Sequence, residues 1–141
     1  MTTRDDQLGT RRFALKLPIG WATAATTGDV IVLRAPIRMQ LTAVRFLADV
    51  AITGHADNNA TVSVINKGAA GAGTTEMASK AFDTPTTDDV AQYDESAITL
   101  SGTAANLVAA AGDLISVKKA VAGDGLAVAG TIVIEATPAG S

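Results

Sequence analysis

The sequence predicts an all-β fold, an antiparallel sandwich or barrel, on three observations. Short apolar segments alternate with polar residues at period two, as strands with one buried face do. About eight such segments recur every 10–20 residues or so, separated by Gly, Asp, Asn and Pro. The 141-residue chain has the length of one domain and buries roughly two-thirds of its unfolded surface, so one core holds it without staples.

Taken in order, Met1 to Thr10 is polar, and residues 1–11 read as a flexible N-terminal arm ahead of a single domain over 12–141. From Arg12, Phe13, Leu15 and Leu17 alternate with Ala14 and Lys16, and Pro18 and Gly20 are expected to end this first strand. Gly28-Asp29 is a turn followed by the β-branched run Val30-Ile31-Val32-Leu33, which Pro36 stops or bends at Ala35. Ile37, Met39, Leu41 and Ala43 then alternate with Arg38, Gln40 and Thr42. At Val44 the apolar register shifts, and Phe46, Ala48, Val50 and Ile52 continue it, which predicts a bend, a bulge or two consecutive strands. Residues 53–59 carry turn chemistry throughout.

Residues 61–65 predict a short strand with Val62 and Val64 inward, and Asn66-Lys67-Gly68 opens a Gly-rich loop. Residues 77–82 predict another short strand. The segment 82–95 is a loop with five acids (Asp83, Asp88, Asp89, Asp94, Glu95) and no Lys or Arg. Residues 97–100 and 106–108 are brief strand candidates, with a short Ala-favoured helix over 104–111 as the rival. Gly112-Asp113 is a second turn before residues 114–118, Ala122-Gly123-Asp124-Gly125 is a hairpin turn, and Ile132 and Ile134 share one face of a last strand over 131–135.

Composition bounds the chemistry. There is no Cys, which excludes disulfides, thiolate metal sites and a Cys nucleophile. The one His, His55, has no second His or Cys to share a metal or a nucleophile with. It reads as a solvated turn residue. Net charge is −3, which disfavours nucleic acid as a partner. No apolar run approaches the roughly 20 residues of a membrane span, and residues 1–20 lack the apolar centre of a secretory signal. The parts of an active site are missing, so a binding or building role is expected rather than an enzyme, with no cofactor and no metal.

Several segments together resemble the jelly-roll head decoration (cement) proteins of tailed bacteriophages and related small virion proteins. They are a strand into Ala35-Pro36, the long "LTAVRFLADVAI", the strand end "VSVINKG", and "AAAGDLISVKKAVAGDGLAVAGTIVIEA". The stretch from Gly28 to Ala136 carries the likeness. It departs from the common pattern in lacking a second Asn before Gly68, and in its N-terminal strand and acidic insertion. The resemblance implies an eight-stranded jelly roll on the capsid exterior, assembled in the host cytoplasm. Its implied partner is the major capsid protein, and trimers are favoured.

Candidate contact residues follow from charge and size. Arg4, Arg11, Arg12, Lys16, Arg34, Arg38 and Arg45 place seven of the 11 basic residues in the first third of the chain. Of these, Arg4, Arg11, Arg12 and Lys16, together with the sole Trp, Trp21, are the candidates for contacting a capsid or a second subunit. Asp57, Asn58, Asn59, Asp113 and Asp124 could ligate calcium but lack the ligand spacing of a calcium loop, and they read as turn formers. The acidic segment reads as a solvated loop, with a cation site at Asp88 and Asp89 or a surface for a basic partner as the functional alternatives. Trp21 and Tyr93 fall in loop-like segments where an exposed aromatic could serve a carbohydrate- or receptor-binding module of a fibre or tail, the rival to decoration.

Overall fold

A computed structural model describes residues 13–21 and 23–140, so the proposed arm with its Arg4 and Arg11, and Arg12 after it, lie outside the described residues. Nine strands follow in order: β1 (Phe13–Trp21), β2 (Gly28–Arg34), β3 (Met39–Ala48), β4 (Asn59–Asn66), β5 (Thr75–Ala81), β6 (Glu95–Leu100), the two-residue β7 (Val108–Ala109), β8 (Leu114–Ala122) and β9 (Val128–Pro138). The only helical element among the described residues is a single 3-10 turn, Ala104–Leu107. The rival helix over 104–111 thus shrinks to one turn, and the strand expected at 106–108 begins only at Val108.

The pairings are nested. β1 lies against β9, β2 against β8, β3 against β6 and β4 against β5, all antiparallel. Such a chain is one long hairpin of four strand pairs rolled over on itself. Rolling brings β3 against β9 and β4 against β8, which yields two layers, β1-β9-β3-β6 and β2-β8-β4-β5. This is the jelly roll. The layers join where β6 changes partner, since its first residues pair with β3 and Thr99 and Leu100 pair with Ser79 and Ala78 of β5. Between β1 and β2 the roll stays open.

Alternation explains the core. Met39, Leu41, Val44, Phe46 and Ala48 of β3 are each at most 2% exposed. The predicted register shift is real, because β3 slips against β9 between Leu41 and Ala43. This bulge inserts Thr42 and lets Leu41 and Val44 both face inward. Val62, Val64, Met77, Ile98, Ile115, Val117, Val128, Ile132 and Ile134 complete the interior.

Three expectations need correction. β1 runs through Pro18 and Gly20 to Trp21, which an edge strand permits because its outer N–H groups have no ladder partner to lose. Trp21 is therefore a strand residue, only 8% exposed and part of the core. Its indole occupies the space that a Cβ on Gly28 would need, 2.5 Å from Nε1. The alternation does not continue past Ala48 either: the chain bends, Val50 is 43% exposed, and only Ile52 returns to the interior, through a bridge to Val90.

Gly130 of β9 shows how tightly the strands approach. A Cβ there would run into the Leu47 carbonyl oxygen and the Phe46 ring. Gly130→Ala is expected to lower unfolding free energy by about 2 kcal/mol, the cost of overpacking a core, measured as a reduced urea midpoint with an unchanged m-value.

Candidate functional site

Three turns that lie far apart in sequence meet at one end of the roll. Asp113, in the turn before β8, accepts hydrogen bonds on its carboxylate from Asn66 Nδ2 (3.0 Å) and the Ala110 N–H (2.9 Å). Its main-chain carbonyl accepts from the Ala35 N–H at 2.8 Å, and the Gly112 N–H returns a bond to the Ala35 carbonyl at 2.7 Å. Asn66 Oδ1 in turn accepts from the Gly68 N–H. Lys67 N–H donates to the Leu114 carbonyl and Leu114 N–H to the Gly68 carbonyl. Thus Ala35-Pro36, Asn66-Lys67-Gly68 and Gly112-Asp113-Leu114, far apart in sequence, form one knot of three turns. Gly68 and Gly112 adopt φ of 68° and 91°, left-handed values that glycine accepts without strain. Lys67 also pairs with Asp29 of β2, fastening the strand beside the knot.

The opposite end is acidic. The turns β1–β2, β3–β4, β5–β6 and β8–β9 gather there because connections in a rolled hairpin alternate between its ends. Hydrogen bonds join these loops: Ile52 and Val90 exchange two of 2.8 Å, Gly54 N–H donates to Asp89 Oδ1 at 2.9 Å, and Asp124 N–H donates to Asn58 Oδ1 at 3.0 Å. Asp49, Asp57, Asp83, Asp88, Asp89, Asp94 and Asp124 all belong to them, and none of these loops contains Lys or Arg. At the knotted end stand Arg34, Arg38 and Lys67.

The acids divide by use. Asp88 accepts from Lys80 Nζ and from the Thr84 N–H, each at 2.9 Å, and Asp89 accepts from Gly54 and Thr86 N–H groups, so both staple the loop. Among the described residues no group of three or more His, Asp or Glu is placed to hold a metal ion. The Lys80 hydrogen bond, opposed by burial and aided by the Thr84 N–H, holds the Asp88 carboxyl below the ordinary 3.8. At Asp29, burial works upward, but the hydrogen bond and charge of Lys67 outweigh it and the net shift is also downward. His55 is exposed, and its Nδ1 accepts from the Asp57 and Asn58 N–H groups at 3.1 and 3.0 Å; it shapes a turn. Tyr93 is 78% exposed with a left-handed φ of 66°, held by its N–H bond to the Ala48 carbonyl.

Of the sequence-derived contact candidates, Lys16 lies in β1 with its backbone in register with Val133, and Trp21 lies in the core. Lys119 and Asp113 are the residues whose weight was missed. Lys119 is 1% exposed on the inward face of β8, and its Nζ donates to the Thr23 and Ala24 carbonyls at 3.0 and 3.1 Å. Burial lowers its pKa from the ordinary 10.5. The alternation Ile115, Val117, Lys119, Val121 carries the signal for its inward direction.

No family model matches the chain, and no curated protein matches it. Among solved structures, a chain from the infectious bursal disease virus Gx strain is similar over 94% of this chain, at 11% identity and a TM-score of 0.34. This chain spans 34% of that one's length. So loose a superposition carries no weight for fold or role.

Two outcomes are expected here. Asp113→Ala strands Asn66 and the Ala110 N–H, and hydrogen bonds to a charged acceptor are worth about 1.5–3 kcal/mol each. A loss of about 3 kcal/mol in denaturant unfolding should follow, the lower end for two such bonds at a half-buried site, with Asp113→Asn intermediate. Asp29 and Asp88 have folded pKa values below their unfolded ones, so their stabilisation is complete above about pH 4 and is lost as pH falls through the lowered values. In a series of thermal melts, midpoints should fall below about pH 4, and Asp88→Asn should flatten that fall.

Proposed function

We propose that this chain is a structural virion protein, a decoration protein that binds the outside of a phage head in many copies and bridges neighbouring capsomers. It works by buried contact area rather than by catalysis. The observation that carries this reading is the knot: Ala35-Pro36, Asn66-Lys67-Gly68 and Gly112-Asp113-Leu114, turns within three of the four segments that resemble the decoration proteins, fasten to one another around Asp113. The separation of charge between the two ends suits a protein that meets a charged lattice in one orientation. Its partner is then the major capsid protein and its location the virion surface. Copies in threes belong to the same reading, because quasi-threefold lattice points offer three equivalent sites.

Tyr93 supports a second reading. A rigidly held, exposed aromatic at a loop-bearing end is what a carbohydrate- or receptor-binding module of a fibre or tail presents.

The two readings part in one experiment. Purified protein is mixed with expanded and with unexpanded heads of the phage that encodes it, and the heads are pelleted. Co-sedimentation with expanded heads alone is the expected result. Binding to neither, with glycans retained on an array and lost in Tyr93→Ala, transfers the function to the fibre class. Deleting residues 1–11 should weaken attachment to heads if Arg4 and Arg11 contact them, and unchanged attachment removes the arm from the contact.

A further inference from the structure

Among the described residues, the opening of the roll leaves β2 with a strand neighbour on one side only, β8. The register with β8 sets Asp29 opposite Lys118, Ile31 opposite Ser116 and Arg34 opposite Leu114, with a slip between Ile31 and Leu33. On β8, Ile115 and Val117 fill the core, so their alternates Leu114, Ser116 and Lys118 mark the outer face. Asp29, Ile31 and Arg34 therefore share that outer face. Without the extra residue Val32, strand alternation would send Asp29 and Arg34 to opposite faces.

The edge thus reads acid, apolar, base over residues 29–34. Asp29 and Arg34 are exposed, and Val30 and Ile31 are each 49% exposed. Asp29 is held by Lys67, whereas no carboxylate of the described residues forms an ion pair with Arg34. This order of charges is self-complementary in one direction only. When two such strands lie antiparallel, the Asp29 end of each copy comes beside the Arg34 end of the other, with the apolar residues between them. A parallel arrangement sets like charges together, which is unfavourable across a strand pair.

We propose that β2 is the edge along which two copies of this chain pair, antiparallel across a two-fold axis, with residues 30–33 of each copy against those of the other and Asp29 of each beside Arg34 of its mate. The contact is isologous and closes at two. It extends the β2-β8-β4-β5 layer through the axis and gives the free N–H and C=O groups of β2 partners. Charges and a bulge on an edge strand can also serve to keep other chains away, and that alternative predicts a monomer. The inference goes beyond the decoration reading: head binding and edge pairing are measured separately, and either can fail without the other.

The test is the mass of the whole chain by sedimentation equilibrium up to about 1 mM, a range that detects even weak pairing. A mass of twice 14.2 kDa is expected, or six times where copies also associate in threes. Ile31→Lys, which puts a charge on the exposed edge, should abolish pairing while leaving the far-ultraviolet circular dichroism spectrum unchanged. Arg34→Glu and Asp29→Lys should each weaken it roughly tenfold, since symmetry places two like-charge contacts in each homodimer. Mixing those two variants should restore it, because both ends of the mixed pair are again of opposite charge. A monomer or trimer mass at every concentration overturns the proposal, and so does a dimer that Ile31→Lys leaves intact or a mixture that fails to restore pairing.

Discussion

The turns at one end of the roll are held by Asp113, through its carboxylate and its main-chain carbonyl. A rolled hairpin stacks two layers that are covalently joined only by turns, and hydrophobic burial alone tolerates sliding of one layer over the other because it is non-directional. Direction is supplied where Asp113 receives Asn66 and the Ala110 N–H while its own carbonyl receives Ala35. These bonds tie the β2–β3, β4–β5 and β7–β8 turns into one body. They hold the ends of β2, β4 and β8 beside one another at this end of the roll. These turns are thus structural first: their polar groups are spent on one another rather than on a partner.

Topology then converts a mixed sequence into a polar object. Acidic residues are scattered from Asp49 to Asp124 along the chain, with basic ones between them. Nesting the strands sends alternate connections to opposite ends, and the alternate connections carry the acids. The acidic end is also stiff. Asp88 and Asp89 spend their oxygens on loop N–H groups and Lys80, which leaves Asp49, Asp57, Asp83, Asp94 and Asp124 to set the field in solvent. Screening confines that field to about 8 Å at physiological salt, so it orients an approaching partner more than it holds one.

Much of this was legible because alternation and turn chemistry are local. The strand at Val62 and Val64, the register shift near Ala43, and the turns at Gly112 and Gly123 follow from neighbours within a few residues. Where the reading failed, the deciding partner was remote. Pro18 looks like a terminator until β1 is known to be an edge strand. Trp21 looks like a loop residue until the space above Gly28 is known to be empty of side chain. Lys119 lies just past the strand expected at 114–118, and nothing near it in sequence reveals the Thr23 and Ala24 carbonyls that receive its ammonium group. The contact candidates are the least legible: the sign of a surface is set by which turns share an end.

The two open features of the molecule, its free edge and its charged ends, differ in what they can accomplish. Charge at the ends is spread over mobile water and falls with salt, so it favours an orientation without fixing a position. An edge strand offers main-chain groups at fixed spacing, and pairing along it fixes position to within one residue, because a slip of one residue turns every side chain to the wrong face. A protein that must sit repeatedly on a lattice needs both, a field to present the correct end and a geometric contact to set the spacing. The bulge at Val32 links the two within β2, since it is what brings Asp29 and Arg34 onto a common face and makes the edge selective for a strand running the other way.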